Sequence, residues 1–141
     1  MLNKIMHKFI IIDEQFLAKN TGRMINSIEL LTEDSIKVHD DIILFIWNTL
    51  KLVKCRNYKN EKEKYGLYYD GNSYILFEQL ELFFKVILNW LSFADLIKDK
   101  FIINDQGDEC EKEVFKDDLG KLLKLIKKSL KDKKVILHIG V

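Results

Sequence analysis

The alternation of apolar and polar positions divides the chain into short blocks. "KFIIIDEQFLA" (8–18) opens with a β-favouring apolar run and predicts a strand, with a helix starting at Asp13 as the competing reading. "NTG" (20–22) is a turn signal. "SIELLTEDSIKVH" (27–39) predicts a hairpin, because Ile28 and Leu30 alternate on one arm and Ile36 and Val38 on the other. "DDIILFIWNTLKLV" (40–53) predicts a deeply buried helix, with Asp40 capping its first amides and Asp41 at the positive end of its dipole. The polar stretch 54–66 predicts an exposed loop. Asp70-Gly71, flanked by Tyr, Ile and Phe, predicts a second hairpin over 65–77.

The most apolar segment, 78–97, predicts a helix. At 100° per residue Glu78, Glu81, Lys85, Asn89 and Ser92 fall in one narrow stripe, and nearly everything else round the cylinder is apolar. A spanning helix needs about 20 apolar residues with few charges. Each charge near a bilayer centre costs about 2.5–3.5 kcal/mol. Two Glu and a Lys recurring in this segment therefore exclude a membrane span. A core helix covered on more than one side is expected, and one face left for a homodimer or a protein partner is the alternative. "KFII" (100–103) predicts a short strand and "NDQGDECE" (104–111) a loop. Residues 112–131 predict an amphipathic helix, with Phe115, Leu119, Leu122, Ile126 and Leu130 at spacings of three and four. "KVILHI" (134–139) predicts a final strand.

These blocks predict a single α+β domain over 1–141: an antiparallel sheet built from hairpins, packed against two or three helices, with helix 78–97 central. Composition agrees with a globular chain, at 48% hydrophobic and 32% charged residues. Proline is absent, and Lys, Ile, Asn and Leu are used heavily, the bias of an AT-rich microbial genome. No signal-peptide apolar region precedes Asp13, so a cytoplasmic location is expected.

Candidate chemistry is sparse. No Walker A, G-x-S-x-G, H-E-x-x-H or G-x-G-x-x-G motif occurs. Cys55 and Cys110 lack the CxxC or Cys/His company of a zinc site, and no metal, cofactor or catalytic residue is expected. His39-Asp40-Asp41 is the one cluster suited to acid/base or metal chemistry, yet neighbours in sequence converge poorly on one ion and helix capping accounts for both carboxylates. His138 reads as an ordinary strand residue, and His7 has no companion. Tyr65, Tyr68, Tyr69 and Tyr74 read as cross-strand packing, with base stacking the lesser alternative.

Charge varies more than its sum. The net charge is +1, which argues against a dedicated nucleic-acid or anionic-membrane binder. Residues 104–118 nevertheless hold seven acids, Asp105, Asp108, Glu109, Glu111, Glu113, Asp117 and Asp118, against two lysines. Residues 121–134 hold seven lysines against one acid, and 51–64 hold six cations against two. Acids opening a helix and lysines closing it complement its macrodipole. The acids preceding it are less well covered by that account. By elimination, a non-enzymatic protein that binds another protein is expected. Among such chains from AT-rich bacteria, cognate inhibitors and immunity proteins that neutralise a toxin are frequent. The acidic segment would face the basic cleft of a toxin such as a nuclease. Two alternatives stand beside it: a nucleic-acid-associated module using 51–64 and 121–134, and a small enzyme or ligand-binding domain around His39.

Overall fold

The computed structural model describes residues 2–15 and 34–141. It is α+β, with a fully antiparallel six-stranded sheet, a second sheet of two strands, and four helices among the described residues. In chain order the strands are β1 (Met6–Ile12), β2 (Ser35–His39), β3 (Lys54–Asn57), β4 (Glu63–Tyr65), β5 (Asn72–Ile75), β6 (Lys100–Ile102), β7 (Glu109–Glu111) and β8 (Val135–Ile139). The helices are α1 (Asp40–Phe45), α2 (Trp47–Leu50), α3 (Leu80–Ala94) and α4 (Lys112–Asp132). The large sheet runs β2-β1-β8-β5-β3-β4, and β6 pairs with β7.

The two most apolar strands, β1 and β8, lie side by side in the interior of the sheet because both their faces are buried. Phe9 and Ile11 of β1 and Ile136 of β8 join the core under the helices. Ile10, Ile12, Val135 and Leu137 form a second cluster on the opposite face with Tyr58 and Tyr74. α3 lays Leu80, Phe83 and Ile87 into the main core, with the Phe83 ring 6.2 Å from that of Phe9. The helix expected over 78–97 is shorter, preceded by a 3-10 turn at Phe77–Gln79; Glu78 in that turn and Glu81, Lys85, Asn89 and Ser92 on α3 are all exposed, as the helical spacing predicts. No helix among the described residues is long and apolar enough to cross a membrane. The α4 stripe is also found, with Phe115, Leu119, Leu122 and Ile126 fully buried. Phe115 stands edge-on to Phe101 at 5.4 Å and to Phe45 at 6.0 Å, so one ring ties α1, β6 and α4 together.

Several expectations are corrected. Residues 65–77 do not form a hairpin: β4 and β5 both pair with β3, which lies between them. Gly71 spends its carbonyl on the Gly140 amide (3.0 Å) rather than on a hairpin turn, and the positive φ falls at Gly66 (100°). The polar stretch 54–66 is no simple loop but the β3–β4 hairpin, in which Glu63 bridges Lys54 (2.9 Å) and Arg56 (2.6 Å). Charged residues suit β4, the edge strand, whose three residues are all exposed, whereas β3 inside it buries Cys55 in the core. The helix expected over 40–53 breaks at Ile46 into α1 and α2. Asp40 does not cap it, because that carboxylate is taken by His7. Glu109–Glu111, read as loop, is strand β7. Ile36 and Val38 do lie on a strand, but their partner is β1. The arm around Ile28 and Leu30 and the turn at 20–22 lie outside the described residues.

Both cysteines are free and buried. Burial pushes the Cys55 thiol up to about 12; at Cys110, burial and then the nearby Asp118 carboxylate push it to about 11. The thiolate is the reactive form, so both thiols should be inert while the fold holds. Titration with a disulfide reagent at pH 8 should find no accessible thiol in the native protein and two in denaturant. A rapidly reacting native thiol would contradict this packing.

Candidate functional site

Two clusters of polar side chains stand out, one at the surface and one enclosed. The surface cluster follows from alternation in a short strand. In β7 the side chain of Cys110 points inward, so Glu109 and Glu111 point out. Their partners across the ladder are Ile102 and Lys100. Lys100 holds Glu109 at 2.8 Å, and Ile102 stands 56% exposed beside them. Asp105 is exposed in the β6–β7 turn, and Glu113 and Asp117 are exposed on the first turns of α4. The remaining two acids face inward. Asp108 accepts the Asn104 amide (2.9 Å) inside the turn. Asp118, buried, accepts both the backbone N–H (2.8 Å) and Nδ1–H (2.6 Å) of His39.

That double bond fixes the His39 ring. A carboxylate only accepts, so the proton sits on Nδ1 and Nε2 remains the free edge. His39 is partly exposed and lines a cleft of about 410 Å³ with Leu2, Lys4, Glu109, Glu111 and Val114. The triplet 39–41 is thereby dispersed: His39 turns to Asp118, Asp40 to His7, and Asp41 to the Asn3 amide (2.9 Å). No group of three or more His, Cys, Asp or Glu among the described residues is placed to hold a metal ion.

The basic segments are set apart. The β3–β4 hairpin forms one edge of the large sheet, whereas α4 packs on β2, β1 and β8. Several of their cations are also engaged: Lys54 and Arg56 with Glu63, Lys64 over the Tyr68 ring at 4.2 Å, and Lys128 with Asp34. The four tyrosines form no common platform: Tyr65 and Tyr74 lie on one face of the sheet, opposite Lys54 and Arg56, while Tyr68 and Tyr69 lie in the turn before β5. Tyr65 is exposed, Tyr74 is buried under Arg56, and Tyr69 lies against His7.

The enclosed cluster is one the sequence reading missed. His7 on β1, His138 on β8 and Ser73 on β5 come from three neighbouring strands and point to the helix side, at the end of the sheet where α1 begins. Each is fully buried. They form a single chain: Ser73 Oγ to His138 Nδ1 (3.3 Å), His138 Nε2 to His7 Nδ1 (2.8 Å), and His7 Nε2 to Asp40 Oδ1 (2.7 Å). An ionised Asp40 dictates every proton. His7 carries its proton on Nε2, His138 on Nε2, and Ser73 donates its hydroxyl to His138. Burial lowers the pKa of both rings, His138 well below the ordinary 6.5, and for His7 the Asp40 carboxylate opposes that shift only in part.

The Tyr69 phenol closes the Asp40 end. Burial, and then its hydrogen bond to Asp40, raise its pKa to about 12. No buried side-chain nitrogen or oxygen of this hydrogen-bonded chain lacks a partner, and Ser73 is fully buried. The clue available in sequence was weak: a His at each end of the chain, both beside β-favouring runs. The chain matches no protein-family model, no curated protein and no solved structure.

Proposed function

We propose that this protein acts by binding another protein, as a bacterial cognate inhibitor of the immunity type, with the β6–β7 hairpin and the first turns of α4 as its contact face. The observation that carries the reading is the outward display of Glu109 and Glu111 on β7, with Asp105, Glu113 and Asp117 beside them. The partner it suits is basic, such as a toxin nuclease whose cleft binds phosphates. Opposite potentials raise the association rate and exclude wrong partners. Exposed Ile102 and the apolar walls of the adjoining cleft, Leu2 and Val114, offer the contacts that set residence time. Asp108 and Asp118 serve this face indirectly, the one holding the turn and the other holding His39.

The test replaces Asp105, Glu109, Glu111 and Glu113 together by Ala and leaves the inward-facing acids in place. Wild type should co-purify with a basic partner from its source and suppress that partner's nuclease activity. The variant should fold normally, bind at least tenfold more weakly and lose most of the salt dependence of binding. Unchanged affinity in the variant would remove the acidic face from the mechanism.

A further inference from the structure

The buried chain Ser73–His138–His7–Asp40 ends under the turn 68–71, where the Tyr69 phenol bonds Asp40 and the Tyr68 hydroxyl donates to the Lys62 carbonyl (3.1 Å). Tyr68 N–H reaches Ser73 Oγ at 3.4 Å, a long contact. The C-terminal residues clasp the turn from the other side: Gly140 N–H donates to the Gly71 carbonyl (3.0 Å) and Val141 N–H to that of Tyr69 (2.9 Å). The approach is close enough that a Cβ on Gly140 would lie 2.0 Å from the Tyr69 carbonyl oxygen. Tyr69 packs edge-on against His7 (5.4 Å) and Trp47 (5.8 Å). Opening this turn would bring water to Ser73 and to Nδ1 of His138.

We propose that acid opens the 68–71 turn, because the chain takes up one proton at its Ser73 end, moves positive charge to His7 beside Asp40, and leaves the buried Ser73 hydroxyl without an acceptor. The proton count is explicit. In the closed form the three ring and hydroxyl protons are on His7 Nε2, His138 Nε2 and Ser73 Oγ. An incoming proton binds His138 Nδ1 once the turn lifts, and the Nε2 proton of His138 passes to His7 Nδ1. His7 is then a cation donating to Asp40 and to His138, with four protons on the same groups.

This reversed chain does not fit beneath the closed turn. His138 Nδ1–H now points at Ser73 Oγ, as Tyr68 N–H already does, and the Ser73 hydroxyl proton has lost its acceptor. A buried hydroxyl without an acceptor is costly, so the protonated chain favours the open turn, where water takes that proton. Coupling follows because only the open form binds the proton well. The ionisable groups facing the histidines are Asp40 from α1 and Tyr69 from the turn. Asp41 is turned away onto Asn3 and Asn104, and His39 onto Asp118.

Amide exchange and imidazole nitrogen spectra of the full chain, recorded from pH 8 down to pH 5, test the device. As His7 becomes protonated, protection at Gly140 and Val141 should fall at least tenfold while the β1–β8 ladder keeps its protection. Over the same range the neutral His138 ring should change from the Nε2–H to the Nδ1–H form. Asp40→Asn removes the charge that receives protonated His7 and should move both changes at least one pH unit lower. His7→Phe should abolish them; where it fails to fold, Asp40→Asn decides. Three results would overturn the proposal: His138 keeping its proton on Nε2 throughout, exchange at Gly140 and Val141 rising only together with the ladder, or no displacement of the transition by Asp40→Asn.

Discussion

Phe115→Ala should lower the unfolding free energy by about 3–5 kcal/mol, the range for emptying a fully buried aromatic site. Phe115 is fully buried, and it is also the ring against which Phe45, Phe93 and Phe101 stand edge-on. Removing it takes away burial, leaves a cavity between α1, α3 and α4, and frees the rings that anchor the β6–β7 hairpin. The last effect carries the loss to the proposed contact face. Leu96→Ala is the matched control, since Leu96 is 79% exposed and should change stability by less than about 0.5 kcal/mol. Urea unfolding of the two variants side by side is the measurement. A loss below 1 kcal/mol for Phe115→Ala would contradict the packing described above.

Stability should also fall steeply as the solution is acidified below pH 6.5. His7 and His138 both have folded pKa values below the ordinary 6.5. The unfolded chain therefore binds protons first as the pH falls through that value. The stabilisation is complete above it and is lost progressively below it, down through the folded pKa values. Each proton taken up on unfolding contributes about 1.36 kcal/mol per pH unit, so the two rings set a limit of about 2.7 kcal/mol per unit. Urea midpoints from pH 8 to pH 5 measure the slope. His138→Phe should cut it by about half or more and should also lower stability at pH 8, because Ser73 and His7 lose a partner. An unaltered slope would place the acid sensitivity elsewhere.

The elements most legible in the sequence are those whose own pattern states what covers them. The α3 stripe from Glu81 to Ser92 and the α4 stripe from Phe115 to Ile126 were readable because a helix has one period and each face has one environment. The β3–β4 hairpin was not, because the edge strand β4 is exposed on both faces and β3 inside it buries only Cys55 among polar neighbours, so the pair's signal resembles a loop. The Asp70-Gly71 turn misled for a related reason. Turn chemistry records where the chain bends, while the strands it serves depend on which partner offers free backbone groups, and here β3 and the C-terminal residues did. Of the candidate sites, the density of acids over 104–118 was legible, but their outward display on β7 was not, because a three-residue strand inside a polar stretch carries too short an alternation to separate it from a loop.

The sequence by itself determined the α+β class, the two long helices, the strands at each end of the chain and the charge contrast between 104–118 and 121–134. Each of these rests on interactions between near neighbours, which the order of residues specifies directly. Only the tertiary structure decided that Asp118 belongs to His39 and that Asp40 belongs to His7. It alone joined His7 to His138 and to Ser73. Those bonds link residues 131 and 65 positions apart, brought together where β1, β8 and β5 lie side by side. Strand order is a property of the whole sheet, and no spacing along the chain records it.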